Sequence, residues 1–471
     1  MSQHSYDVVI IGAGTAGQSA YNQVVKQTSN VLVVNAGPWD TTCARVGCMP
    51  SKLLIEAAKY AQASQHASEF GIANQTRIDA KAVMQRVQHL RDYFTGHAQA
   101  VVDQWPAEHK KQGKAHFIDA TTLKVGEDTI YTKASIIATG SIPRVDPQWQ
   151  QALKHKLLTS DTIFNLPALP KSMIVVGSGA IGIELAQALA RLGVEVTLMG
   201  KGNNIGGLSN PDLRKLATAL LTRELNYIDN SSIEQVYLEA DQVVLHYHRS
   251  LPGQLNQHSG QAKAEYLLAA IGRESSLNTL GLDNIDARYQ GIKGAVQHPL
   301  TMQLDNLPIF IAGDVSTTQA LQHEAANAGR IAGINAAHYP EIKPFEPYTG
   351  LSIVFSQPQM ATAGQSHQAL TRANTPFACA EVSYRTQGRA TIQDKNEGAL
   401  QLYGCPQSHK LLGAELLVND AEHLAHLLAW SIQQGLTIEQ LLAMPFYHPV
   451  LEEGLRTALV RLRAQLPELA P

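Results

Sequence analysis

The sequence predicts an α/β fold built from two parallel-sheet units of one type and a C-terminal α+β domain. Two observations carry this. A buried strand that runs into a glycine-rich turn and a helix occurs twice, and the last part of the chain changes to strands followed by amphipathic helices. The first copy begins with Asp7-Val8-Val9-Ile10-Ile11, an unbroken apolar run of the kind that suits a strand covered on both faces. It meets Gly12-Ala13-Gly14-Thr15-Ala16-Gly17, then a helical stretch over 18–27 and a strand over 30–35. The second copy runs Met173-Ile174-Val175-Val176 into Gly177-Ser178-Gly179-Ala180-Ile181-Gly182, a helix over 183–192 and a strand over 194–199. The separation is too long for a solenoid repeat, so a domain type is duplicated.

Between the copies, 43–67 and 80–105 read as helices, and Ile136-Ile137-Ala138-Thr139-Gly140 as a buried strand with a glycine stop. Pro143, Pro147, Pro167 and Pro170 mark a link between the units. A strand over 309–312 ends at Gly313-Asp314 and leads to a helix over 322–337, and Pro340, Pro344 and Pro347 mark a second boundary. Helices are expected over 421–434 and 438–443. The domain reading is 1–150, 151–270, a central segment 271–345 that completes the first site, and 346–471.

A chain of 471 residues has room for about three domains of roughly 150 residues each. Its 37 basic and 40 acidic side chains give a charge of −3, which offers no basic face for a nucleic-acid backbone. The 44% hydrophobic fraction fills several cores and excludes disorder. No apolar run reaches the ~18 residues of a membrane span, since 172–190 is broken by Glu184 and Gln187. No basic stretch precedes the first strand as in a signal peptide. Four unevenly spaced cysteines do not make a disulfide scaffold, so a reducing, cytoplasmic setting is expected.

The glycine turns carry the first chemistry. Gly12 permits the tight turn, Gly14 lets the backbone approach a pyrophosphate, and Gly17 lets the helix pack on the strand. Gly177, Gly179 and Gly182 repeat the arrangement, and each helix N-terminus offers unpaired N–H groups to phosphates. Two Rossmann-like dinucleotide-binding units follow. The acid that ordinarily ends the second strand and binds a ribose 2′-OH is absent twice. Asn35 can bond a diol without charge; Gly200-Lys201 carries no repulsion against a 2′-phosphate, and Lys201 would attract one, so NADP stands open beside NAD.

Cys43-Ala44-Arg45-Val46-Gly47-Cys48 is the sharpest feature. Five residues of regular helix rise ~7.5 Å, beyond the ~4.4–6.8 Å between Cα atoms that a disulfide allows. A bridge therefore needs Cys43 in a loop or distorted first turn and Cys48 on the helix, with the helix dipole beside a thiolate. Arg45 is a further candidate for lowering a thiol pKa. Zinc lacks more ligands at close spacing, so no metal is expected, and inert packing thiols are the bland alternative. Cys379 and Cys405 read as packing residues. Near the C-terminus, His448 precedes Pro449, expected as the first helical residue, and Glu452 or Glu453 about one turn in would orient the imidazole as a general base.

Taken together, these residues resemble the flavin- and nicotinamide-dependent (class I pyridine nucleotide) disulfide oxidoreductases along the whole chain, most closely their dihydrolipoamide dehydrogenase branch. Cys43-x4-Cys48-Met49-Pro50-Ser51-Lys52 is similar to the family's redox-disulfide motif. Ala138-Thr139-Gly140, Ile271-Gly272-Arg273, Gly313-Asp314 and His448-Pro449 with Glu453 match its other landmarks. The resemblance implies FAD in the first unit, at Gly12, Gly14, Gly17, Asn35, Thr42 and Gly140, with Asp314 toward the ribityl and pyrophosphate region. It implies a nicotinamide dinucleotide in the second, at Gly177, Gly179 and Gly182, with Gly272 also among the cofactor contacts.

Further implications concern the reaction. Lys52 would lie beside the flavin and pair with Glu184. Cys48 would be the sulfur next to the flavin, and Cys43 the interchange thiol. His448 and Glu453 would come from a second subunit, making a homodimer obligatory. The implied activity is oxidation of dihydrolipoamide, or of a lipoyl-bearing protein, by NAD+, inside a 2-oxoacid dehydrogenase complex or alone. The alternatives are an NADPH-dependent reductase of another disulfide, like glutathione reductase, and a non-catalytic flavoprotein subunit. The C-terminal cysteine pair with which mercuric reductases deliver metal is absent before Ala470-Pro471.

Overall fold

Both glycine turns stand at the carboxyl ends of parallel strands in the computed structural model, which describes residues 3–202, 204–250, 257–292, 294, 296–316 and 320–468. Ala470-Pro471 lies outside the described residues. The first sheet has seven strands, with Lys110–Gln112, Val31–Asn35, Gln3–Ile11 and Asp128–Ile137 as parallel neighbours. Ile10 pairs with Val33 on one side and Ile136 on the other. Val8 and Ile10 enter one core and Val9 and Ile11 a second, so alternate side chains of one strand serve opposite faces and the run is apolar throughout. Ile309–Ile311 joins this sheet beside 135–137, so a segment distant in sequence completes the first unit.

The second sheet has five parallel strands in the order Asn226–Ile228, Glu195–Met199, Ser172–Val176, Tyr266–Ala269, Leu157–Thr159. The proline-marked stretch expected as a link supplies one of them, together with helix Pro147–Leu153, whose Leu153 is fully buried. It is therefore part of the second unit's core.

The two turns superimpose in detail. Gly12 N donates to Val34 O and Gly177 N to Met199 O, both at 2.8 Å. Their φ values, +107° and +120°, lie in the region that favours glycine. A Cβ would stand 2.3 Å from Ala138 O at Gly12 and 2.2 Å from Ala270 O at Gly177. The helices, Thr15–Val24 and Ala180–Arg191, begin three residues before their expected starts. The third glycine of each motif lies inside the helix, against the turn it follows: a Cβ on Gly17 would meet Gly12 O at 1.9 Å.

Other boundaries differ for similar reasons. The helix expected over 43–67 is two, Thr42–Arg45 and Cys48–Gln65. Pro449 does not open a helix, because Glu452–Arg463 starts three residues later. Gln387 Nε2 and the Tyr384 hydroxyl hold the Val450 and Leu451 carbonyls at 2.7 and 2.9 Å, and the helix begins after them. The C-terminal sheet is antiparallel, in the order Leu351–Val354, Gln359–Gly364, Leu411–Val418, Ala399–Gly404, Ala378–Ser383. No helix among the described residues is long and apolar enough to cross a membrane.

One fully buried carboxylate joins this sheet to the second unit. Glu415 accepts Ser209 N at 2.7 Å, Asn210 N at 2.9 Å and His367 N at 2.8 Å, thereby satisfying the starts of two helices. Glu415→Ala strands those donors in the interior and is expected to destabilise the chain by about 3 kcal/mol or more. Glu415→Gln keeps one accepting oxygen and should cost less. Denaturant unfolding of the three proteins in parallel checks the order.

Candidate active site

The redox motif folds as two consecutive turns. Thr41 Oγ1 accepts Ala44 N at 3.2 Å and caps the short helix Thr42–Arg45, which carries Cys43. Val46 and Gly47 break it, and Cys48 is the first residue of the next helix. A Cβ on Gly47 would lie 3.1 Å from Cys43 Cα, so glycine lets the chain fold back under the first cysteine. Its place between the cysteines is visible in the sequence, but the fold-back it permits is not.

Both cysteines are free thiols, and they hydrogen-bond one another. The bond from Cys43 lowers Cys48 to about 7, with the Lys52 ammonium acting the same way against burial. Cys43 is pushed up, by that same bond and by burial. The start of an 18-residue helix at Cys48 adds partial positive charge. Arg45 does not act as expected. Its Nε lies 3.0 Å from the buried Asp40 carboxylate, which needs a cation, and Lys52 is the cation that acts on the thiols. Cys379, raised to about 11 by burial, and Cys405 lie in the C-terminal domain.

Lys52, one turn beyond Cys48, donates to Glu184 Oε2 at 2.8 Å. Glu184 is 6% exposed. Its second oxygen accepts Phe355 N at 2.9 Å, and the Phe355 ring lies 4.5 Å below Lys52 Nζ. Phe355 has no signature in the sequence: it meets Glu184 only through the fold.

The cysteines, Lys52 and both nucleotide units face one cleft with an empty volume of about 1250 Å³. Gly14 and Ala180 line it, as do Thr42, Gly140 and Asp314. The features expected of cofactor sites are present in this chain. A Cβ on Gly14 or Gly179 would meet nothing within 4 Å, and neither helix start is capped by a side chain, which leaves room and free N–H donors for phosphates. Asp314 is pushed up by burial against the pull of Arg273, and its hydrogen bond from Ser141 is long, 3.5 Å. A half-buried carboxylate with only that long side-chain bond among the described residues suits hydroxyl donors such as those of a ribityl chain. Arg273 holds Ser141 through its hydroxyl at 2.9 Å and its carbonyl at 2.7 Å. Gly272, before it, accepts Arg144 N at 2.9 Å and has a left-handed φ of +106°.

The ends of the two second strands diverge. Asn35 gives its amide protons to Gly37 O and Pro38 O, both at 2.9 Å, and accepts Ala13 N at 3.2 Å. Only a spare lone pair remains for a diol, because the side chain organises its own loop. At Gly200 a Cβ would lie 2.7 Å from Ser178 Oγ and 2.8 Å from Tyr227 Oη, so two hydroxyls occupy the space of the absent acid. Lys201 is exposed and has no ion pair among the described residues.

His448 and Glu453 meet, but away from the thiols. Glu453 Oε1 lies 2.9 Å from His448 Nδ1, and its other oxygen accepts Val450 N at 3.1 Å. The bond from His448 holds the Glu453 carboxyl below its ordinary range. The imidazole is 81% exposed and lines neither that cleft nor the smaller cavity that Cys43 shares with Phe94. One chain therefore does not bring this pair to the cysteines.

Comparison with known proteins agrees with this geometry. Residues 6–332 match the family described as pyridine nucleotide-disulphide oxidoreductase, and 351–459 match its dimerisation domain. Dihydrolipoyl dehydrogenase of Geobacillus stearothermophilus is 27% identical over 453 residues, 95% of this chain and 94% of that protein. Mercuric reductase of Staphylococcus aureus is also 27% identical, over 99% of this chain and 84% of its own. The HOCl-induced flavoprotein disulfide reductase RclA of Escherichia coli, solved as a Cu(II) complex, shares the fold with a TM-score of 0.80 at 21% identity, covering 98% of this chain and 100% of that one. LpdA of Mycobacterium tuberculosis has the same TM-score and identity, covering 97% and 99%.

The thiol asymmetry is open to titration. In the reduced protein, alkylation of Cys48 should rise to half its maximal rate near pH 7, because the thiolate is present above that pH. Cys43→Ala removes the hydrogen-bond donor and should move the midpoint up toward the ordinary thiol range. Peptide mass spectrometry resolves the sites, and an unmoved midpoint would refute the assigned cause.

Proposed function

The chain belongs to the pyridine nucleotide-disulphide oxidoreductase family, and from that premise we propose that it oxidises dihydrolipoamide, or a dihydrolipoyl group on a carrier protein, with NAD+ as acceptor. It is a flavoprotein disulfide oxidoreductase; the unequal cysteine pair carries the exchange chemistry, and the dihydrolipoyl dehydrogenase relatives support the choice of substrate and acceptor. In thiol–disulfide exchange a sulfur of low pKa leaves fastest, and Cys48 is that sulfur. With the pair oxidised, a substrate thiolate attacks Cys43 Sγ, the Cys43–Cys48 bond breaks, and Cys48 leaves as thiolate. The second substrate thiol then attacks the sulfur joined to Cys43, closes the lipoyl disulfide and releases Cys43, which takes up a proton. The substrate has lost two electrons, now held by the cysteine pair. Bound FAD supplies the two-electron relay from that pair to the nicotinamide.

Lys52, fixed by Glu184, keeps positive charge beside the departing sulfur. Gly12, Gly14, Gly17, Thr42, Gly140 and Asp314 are assigned to FAD, and Gly177, Gly179, Gly182 and Gly272 to the nicotinamide side. His448, oriented by Glu453, is assigned the substrate thiol proton. Since it lines neither cavity in its own chain, we assign the working base to the second subunit of a homodimer formed through 351–459. We place it in a reducing, cytoplasmic compartment, as four unevenly spaced cysteines suggest, and a 2-oxoacid dehydrogenase complex would supply the dihydrolipoyl group. The hydroxyl-filled space at Gly200 favours a second reading, in which NADPH drives reduction of another disulfide.

Anaerobic mixing with dihydrolipoamide, with NAD+ and NADP+ in parallel, separates them. Rapid reduction of NAD+ is expected. Reaction with NADP+ alone would reassign the acceptor. No reaction with either, in protein whose flavin NADPH still reduces, would sink the lipoamide reading. His448→Gln should lower the dihydrolipoamide rate by about 10²–10⁴-fold.

A further inference from the structure

Lys52 has two partners of opposite kind. Its Nζ lies 2.8 Å from Glu184 Oε2 and 4.5 Å from the centroid of the Phe355 ring. The first partner carries a charge and the second does not. That difference matters at Cys48, one turn before Lys52 on the same helix. Cys48 is lowered first by the bond from Cys43; against burial, the Lys52 ammonium lowers it further, while the Glu184 carboxylate raises it. An anion that holds the lysine therefore cancels part of what the lysine does. An aromatic face attracts a cation through its quadrupole and adds no net charge.

The ring is fixed independently of the lysine. Phe355 follows the strand Leu351–Val354, and its N–H donates to Glu184 Oε1 at 2.9 Å. Two residues on, Gln357 N donates to Gln187 Oε1 at 2.7 Å, and Gln187 Nε2 donates to Gln357 O at 2.8 Å. Arg191 Nη1 adds a bond to Gln357 Oε1 at 2.6 Å. Positions 184, 187 and 191 share one face of the helix Ala180–Arg191, so a single helix holds both ends of 355–357. Phe355 itself is half-buried against the core that contains Leu54 and Ile55 of the redox helix. The Lys52 side chain is 35% exposed, and such partial loss of water strengthens a cation–π contact.

We propose that Phe355 is a positioning residue of the redox centre: its ring is a neutral anchor that keeps the Lys52 ammonium from pairing fully with Glu184 and leaves its charge available to Cys48. Phe355 belongs to the dimerisation domain. A domain that carries neither redox sulfur thereby sets the charge beside the one that leaves.

The test removes the electrostatics of the ring and keeps its shape. In the reduced, FAD-bound protein, Phe355→Leu retains the backbone bond to Glu184 and should raise the pH midpoint of Cys48 alkylation by about half a unit. Pentafluorophenylalanine at 355, incorporated during translation, has nearly the shape of phenylalanine but a reversed quadrupole, and should raise the midpoint at least as far. Phe355→Tyr keeps an attractive ring face and should hold the wild-type value. A wild-type midpoint in the pentafluoro protein means that the ring only packs, and it overturns the proposal whatever Phe355→Leu does. None of these measurements uses a substrate, so their outcome is independent of the lipoamide reading.

Discussion

A single buried carboxylate ties three parts of the chain together at the reactive sulfurs. Glu184 lies on the helix that opens at the second glycine turn, yet it binds Lys52 of the redox helix and the Phe355 amide of the C-terminal domain. The same helix continues the seam. Gln187 exchanges two hydrogen bonds with the Gln357 backbone, at 2.7 and 2.8 Å, and Arg191 reaches Gln357 Oε1 at 2.6 Å. Buried charge of this kind adds little net stability, because desolvation offsets the attraction, but removing one partner leaves the other uncompensated. What the seam provides is position: it holds the Lys52 ammonium where it acts on Cys48.

That position adds to the electrostatics of the pair. Two thiols in contact, with no other charge nearby, would differ little. Here the hydrogen bond between them keeps the proton on Cys43, the helix start and Lys52 favour charge on Cys48, and burial opposes charge on both. Arg45 sits between the cysteines in sequence but spends its charge on Asp40. Proximity along the chain is thus a poor guide to which cation tunes a sulfur.

The duplicated units show how one backbone solution is specialised. Both turns repeat the same hydrogen bonds and the same close approach of a glycine to a facing carbonyl. They part at the end of the second strand, where Asn35 closes its own loop in one unit and the Ser178 and Tyr227 hydroxyls fill the space beside Gly200 in the other. On the function proposed above, each turn would hold a pyrophosphate and each strand end would meet a different ligand edge.

Much of this protein is legible in its residue order, because the signals involved are local. An apolar run between glycine and strand-breaking residues, a glycine at a left-handed turn and two cysteines five apart each act within a few residues, so the two nucleotide folds and the thiol pair follow from sequence. Helix starts depart from the residue pattern where a residue inside the helix also packs on its own turn, as at Gly17, and at Pro449, whose neighbours' carbonyls are held by Tyr384 and Gln387. The tertiary structure alone decided that Glu184 meets Phe355, that Arg45 turns to Asp40, that Tyr227 closes the space at Gly200, and that Cys43 opens on two cavities. Most of these contacts join residues far apart in the chain; where the partners are near in sequence, as with Arg45 and Asp40, packing chose between several available ones. Hydrogen-bond and Coulomb terms act over a few ångströms of space, and residue order does not encode that distance.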